Sequence, residues 1–256
     1  MSVDAKISLA SQLHQVCIAA KLITIPASNN AWHGWSTLFD CQGDIYRTTT
    51  CLLLVERAAL DLELKVTLLP KVTKGAKDQY VSAIRTIRGG LGASDLHRQW
   101  GQLLSTNLTD AAVAHMETLD SLLAMQAEPT EIAVDDIDKF ITDAENLRQK
   151  IANSSLDEIV KAFLDRQMGE VIYILRRYSY FGVDGIWSQT GAIAVSFQRF
   201  AAHMGEADYR NVGMDLAALA DNLAKWLGRI GAVAMGADKA IEHSERILKL
   251  IGHSVS

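Results

Sequence analysis

The sequence predicts an all-α protein, a multi-helix bundle of about eight to nine helices, and three observations point there. Apolar residues recur at spacings of three and four over most of the chain, the mark of helices with one buried side. Of the 256 residues, 49% are hydrophobic, enough to bury a sizeable core. Strand signals are few, and turn residues punctuate long segments rather than short ones.

Taken in chain order, residues 5–22 form the first helix, with Ile7, Ala10, Leu13, Val16, Cys17 and Ala20 on its inner side. Residues 26–30, Pro-Ala-Ser-Asn-Asn, make a loop, and Trp32-His-Gly-Trp35 begins an N-terminal turn. The long apolar segment 46–69 carries only Arg47, Glu56, Arg57, Asp61, Glu63 and Lys65 as charges. Its Thr48–Thr50 and Leu52–Val55 stretches suit a strand, but more than 20 residues without turn punctuation favour a helix. Pro70 ends it, and residues 76–87 start another. Gly89-Gly-Leu-Gly92 is a tight connection rather than a phosphate loop, because no strand precedes it and the Gly-Lys-Ser/Thr ending is missing. A helix over 109–126 stacks Ala112, Met116, Leu119 and Leu123.

The clearest stretch is 132–181, two amphipathic helices joined by a capped turn. Ile137, Phe140, Ile141, Ala144, Leu147 and Ile151 line the first, and Leu156 through Leu175 the second. Ser155 and Glu158 have the spacing of a capping box, worth about 1 kcal/mol. Gly182 stops the second helix by taking a backbone conformation other residues avoid. Helices over 186–203, 212–230 and 236–251 follow. The acidic, polar composition around Pro129 makes residues 127–133 the best internal boundary, dividing the chain into helical subdomains over 1–128 and 134–256 or marking a bend within one continuous domain.

Composition narrows the functions. A net charge of −5, with both signs dispersed and no Lys/Arg block, disfavours sequence-independent nucleic-acid binding. Cys17, Cys41 and Cys51 are odd in number and lack Cys-x-x-Cys spacing, and Met-Ser-Val-Asp-Ala-Lys at the N-terminus has no apolar signal region. The expectation is a cytoplasmic protein with reduced thiols acting as small hydrophobes. A membrane span needs about 20 mostly apolar residues; the charge-free runs 185–198 and 22–39 are too short or too polar, so no constitutive span is expected.

This layout resembles a family of uncharacterised bacterial all-helical proteins. The resemblance lies in Trp35-x-x-x-Phe39, in the Leu69-Pro-Lys-Val72 break, in Leu96 to Trp100 ahead of Leu108-Thr-Asp110, and in the Ile137–Gly182 pair ending Tyr-Ser-Tyr-Phe-Gly. It covers roughly residues 5–185. It implies a shared scaffold of unknown activity, associated with bacterial defence or mobile-element loci, and leaves the C-terminal seventy residues outside it.

Candidate chemistry is sparse. Arg246 and His253 have the Arg-x6-His spacing of HEPN-type helical ribonucleases, in which a cation and an imidazole beside the scissile phosphate promote attack by the 2′-hydroxyl. A metal-independent ribonuclease is therefore the enzymatic alternative, although Ile247 follows the Arg where that family has a polar residue. His203 and His243 have no Glu or His at i+4, Glu206 sits three residues beyond His203, and Asp135, Asp136 and Asp138 crowd a helix start where carboxylates suit the dipole. No metal and no cofactor are expected, and the chain has no Gly-x-Ser-x-Gly elbow. Small and apolar residues over 226–236, paired with 185–198, suggest a second alternative, a conditional membrane-disrupting hairpin.

Two clusters read as recognition surfaces. Trp32, His33 and Trp35 sit beside a polar loop, and aromatics with a polar edge are enriched at binding hot spots, the competing reading being that the indoles plug the end of the bundle. Arg176, Arg177, Tyr178 and Tyr180 form the second, where arginine can stack on rings or grip a carboxylate, unless the cations merely complement a helix end. The sequence thus points to a non-enzymatic interaction or assembly protein that binds protein partners or itself.

Overall fold

The computed structural model describes residues 8–92, 96–126, 134–201 and 204–234. Among them are eleven α-helices and no strand, so the all-α expectation holds and the helix count is slightly higher than expected. The helices are α1 Leu9–Leu22, α2 Ala31–Leu38, α3 Ile45–Leu68, α4 Lys74–Arg88, α5 Trp100–Asn107, α6 Asp110–Gln126, α7 Val134–Ala152, α8 Glu158–Arg176, α9 Tyr178–Ala201, α10 Glu206–Asp208 and α11 Met214–Ala234. The extra elements are short: α2 and α5 have eight residues each and α10 three. A π-helical turn, Tyr209–Gly213, joins α10 to α11. The helix expected over 236–251 lies outside the described residues.

The described residues fall into two compact units, one of residues 8–126 with 179–182, the other of 134–178 with 183–234. In the first, side-chain caps start most helices. Ser8 accepts from the Ser11 N–H at 3.0 Å while donating to Asp120 at 2.6 Å. Asp44 accepts from the Arg47 N–H, Thr73 from Ala76 and Thr109 from Ala112, each worth about 1 kcal/mol.

Helices α2 and α5 lack such caps. Their first N–H groups are satisfied by each other's approach loops instead. Ala31 and Trp32 donate to the carbonyls of Arg98 and Leu96 at 2.7 and 3.0 Å, and Trp100 and Gly101 donate to Asn29 and Ala27 at 2.6 and 2.9 Å. This reciprocal latch draws the two helix starts so close that a Cβ on Gly34 would lie 2.2 Å from the Trp100 ring. Trp100 meets Trp35 edge to face with centroids 5.3 Å apart, and Trp35 stacks near Phe39, which in turn touches Phe181. The Trp35 indole N–H donates to the Gly90 carbonyl at 3.2 Å, which seats the glycine-rich connection after α4.

In the second unit, α7 and α8 are the two amphipathic helices expected and pack against each other, with Ile137, Phe140, Leu147, Leu164, Met168 and Val171 buried. Arg148 grips Asp165 in two-pronged fashion at 2.7 and 2.9 Å. The turn between these helices differs from the expected capping box. Asp157, not Ser155, caps α8 by accepting from the Ile159 N–H at 2.8 Å, and Glu158 pairs with Lys161. Ser155 is recruited instead by buried Asp208, donating to it through both its backbone N–H and its hydroxyl at 3.0 and 2.6 Å. That bond spans a sequence separation no local pattern can anticipate.

The stop expected at Gly182 also moves. Helix α8 ends at Arg176 with Arg177 as its cap, and Gly182 instead breaks α9 at φ 57°, ψ −158°, a region accessible only to glycine. A Cβ there would lie 1.9 Å from the Gln12 amide, so the chain passes this point only without a side chain.

Gly34→Ala is expected to cost about 1–3 kcal/mol, because the indole of Trp100 must move. Gly169→Ala, in mid-α8 where an added Cβ meets nothing, is expected to gain about 0.5–1 kcal/mol from helix propensity. Chemical denaturation of the two variants beside the parent checks both signs.

Candidate functional site

The predicted recognition clusters are redistributed by the fold. Trp35 has no exposed surface at all, so its assignment to a partner contact is corrected: a fully enclosed indole bonded to a backbone carbonyl is core. Trp32 is half-buried and His33 exposed on the same helix. Arg176 donates to Glu145 at 2.6 Å across the α7–α8 pair, and the Arg177 guanidinium lies 4.4 Å above the Tyr173 ring. Burial, and then the negative charge of Asp138, push the Tyr178 phenol above its ordinary range. Tyr180 belongs to the other unit, where it packs edge to face against Phe181.

Two of the acidic groups weighed for chemistry, Asp136 and Glu206, are engaged by structure, as is Asp208. Asp136 accepts from the Trp226 indole at 3.1 Å, Glu206 pairs with Arg210, and Asp208 holds the Ser155 turn. All three cysteines are free and buried, and burial pushes the Cys17 thiol up to about 12, away from the thiolate a nucleophile needs. Among the described residues no group of His, Cys, Asp and Glu is placed to hold a metal ion, and no helix is long and apolar enough to cross a membrane. His203, His243, Arg246, His253, the Asp135 side chain and the end of the 226–236 segment lie outside the described residues. A shallow trough of about 540 Å³ runs along α4, lined by Asp78, Val81, Ser82, Arg85 and Thr86.

The feature that stands out is on α3. Its inner side, Cys51, Leu52, Val55, Ala59, Leu62 and Val66, is buried. About 180° around the helix, at 100° per residue, a second apolar row faces solvent. Tyr46, Leu53, Leu60, Leu64 and Leu68 there retain 82%, 58%, 44%, 56% and 72% exposure. Single exposed leucines are ordinary, but five large apolar side chains aligned on one helix make a contiguous patch of the kind that marks an interaction site.

The two edges of this row differ electrostatically. On one edge, Glu56 and Glu63 are neutralised from within the unit. Arg85 reaches Glu63 at 2.6 Å, and Arg88 reaches Glu63 at 2.9 Å and Glu56 at 3.9 Å. Burial of Glu63 pushes its carboxyl up, but the hydrogen bonds and charges of Arg85 and Arg88 outweigh this and hold it below its ordinary value. Within the row and on its other edge, Arg57 and Asp61 are exposed, and neither forms an ion pair with another described residue.

Sequence reading passed over this row because the segment 46–69 registers as uniformly apolar. The available signal was that its leucines fall on two opposite sides of the helix rather than one, which a helix needs only if both sides meet something. No protein family, no curated protein and no solved structure matches the chain.

Because the folded carboxyl of Glu63 is depressed, its stabilising contribution is complete above the unfolded value of about 4.3 and is lost as pH falls through the lower folded value. Parent and Glu63→Gln are therefore expected to differ by about 1 kcal/mol near neutral pH. The gap should close as the pH is brought below about 4, read from denaturation curves of both proteins across that range.

Proposed function

We propose that the chain is a non-enzymatic interaction protein of a bacterial cytoplasm, which recognises protein partners or further copies of itself through an exposed helix face. The observation that carries this reading is the solvent-facing row of α3. Burying one leucine side chain stabilises a complex by about 1.5–3 kcal/mol, so Leu53, Leu60 and Leu64 hold enough apolar surface to drive a specific contact. The helix beneath them is anchored by its buried side and by the α4 ion pairs, so binding need not first order it, which removes part of the entropy cost of association. Of the groups considered for chemistry, Asp136 is engaged by the Trp226 indole and Glu206 by Arg210, and the three thiols are buried, which supports recognition over catalysis at those positions. A setting in bacterial defence rests on the sequence resemblance alone.

Capture from the native host tests the reading. Tagged parent protein is expected to co-purify with a defined partner set, or with untagged copies of itself. Leu53→Glu/Leu60→Glu, which alters only exposed positions, is expected to lose it while keeping the parent circular dichroism spectrum. An identical set of captured chains from both baits would discard the α3 face as the recognition surface.

A further inference from the structure

The α3 row has a regular internal spacing that selects its occupant. Tyr46, Leu53, Leu60 and Thr67 recur every seven residues, and Thr50, Arg57 and Leu64 interleave with them at the same interval. All of these lie on the outer side of a continuous helix. This alternation of three- and four-residue steps is the seam of a two-helix coiled coil, extending about 33 Å at 1.5 Å per residue. The one charge inside the seam is Arg57, with Asp61 one turn on at its edge.

We propose, resting on the interaction reading above, that this seam is the contact between two copies of the chain, whose α3 helices pair antiparallel about a two-fold axis passing between Arg57 and Leu60. In that register Leu53 of each copy packs on Leu64 of the other, the stem of Arg57 covers Leu60, and Thr50 meets Thr67. Arg57 of each copy then sits beside Asp61 of the other, on the same side of the seam. Two charges that have no ion-pair partner within the described chain thereby acquire one twice over, by symmetry.

A parallel pair is excluded by the same residues. It would stack Arg57 on Arg57 in a single layer and leave Asp61 facing the opposite edge of the second helix, so the seam's only charge would meet its like. On the remaining edge, Glu56 and Glu63 of the two copies approach one another, and their repulsion is already offset by Arg85 and Arg88 within each copy. The residues therefore specify both the partner, a second copy, and its direction.

The full chain is to be examined by sedimentation velocity from about 1 to 100 μM, with dimer as the expected species. Leu53→Glu/Leu64→Glu should be monomeric over that range with an unchanged helical spectrum. Arg57→Asp and Asp61→Arg should each weaken the dimer by about tenfold or more, since each sets like charges together across the seam. The double exchange Arg57→Asp/Asp61→Arg should recover affinity to within a few-fold of the parent. The charge variants carry the test if the double glutamate variant fails to fold. Spin labels on Tyr46→Cys, the native thiols being buried, should lie roughly 35–40 Å apart in the antiparallel pair, against about 15 Å or less in a parallel one.

A parent chain that stays monomeric, a dimer indifferent to the leucine or charge variants, a double exchange that fails to recover affinity, or a short label distance would each overturn the proposal. A monomeric parent that still captures a different host protein through α3 would overturn this inference and leave the reading of the preceding subsection standing.

Discussion

In the N-terminal unit, the backbone exchange between residues 27–32 and 96–101 decides what the neighbouring residues can be. A helix start carries N–H groups with no intrahelical acceptor, and here two helices supply each other's acceptors through their incoming loops. The arrangement is self-consistent: side-chain caps become unnecessary on α2 and α5, and neither has one. It also forces contact. With the two starts joined, Trp100 lies over Gly34, and its ring takes the space a side chain there would fill. The aromatic series Trp100, Trp35, Phe39 and Phe181 then fills the interior beside the latch. A buried indole usually finds a hydrogen-bond acceptor; Trp35 finds the Gly90 carbonyl, whereas the Trp100 indole N–H has no acceptor among the described residues.

The C-terminal unit solves the corresponding problem with side chains. Asp208 is buried and accepts from two donors of Ser155, while Asp136 accepts from the indole N–H of Trp226, whose ring also meets Phe140 edge to face at 5.4 Å. A buried carboxylate without donors would cost several kcal/mol, so these bonds fix where the α7–α8 turn and α11 can sit. The ion pairs of the exposed surface, such as Arg176 with Glu145, matter much less, because solvent screens them. The distinction separates residues that hold the architecture from residues that decorate it.

Helix α3 is the element that structure alone does not use up. One of its sides completes the core against α1, α2 and α4, and the opposite side presents leucines to water. Such a helix costs solubility unless something covers the second side. The charges around it are arranged asymmetrically. One edge is neutralised internally by α4, and the other keeps an Arg and an Asp one turn apart. An edge with both signs at that spacing is complementary to itself when reversed, which is the basis of the pairing proposed above.

Helical class and the spans of α1, α3, α4 and α6 were legible in the sequence to within a few residues, because a 3.6-residue period is a local property that any buried stripe must display. Pro70 could likewise be read as an interruption without knowing what it separates. The latch, the Ser155–Asp208 bond and the break at Gly182 could not, since each depends on a group distant along the chain: Arg98 for Ala31, Asp208 for Ser155, Gln12 for Gly182. The same limit governed the candidate surface. Residue type marked Trp32 and Trp35 alike as adhesive aromatics, and only packing shows that Trp35 is enclosed while Leu53, Leu60 and Leu64 are not. Periodicity determines that a helix forms and that it has an apolar side. Which apolar sides are covered is decided by tertiary contacts, because burial is a property of neighbours and not of the residue that is buried.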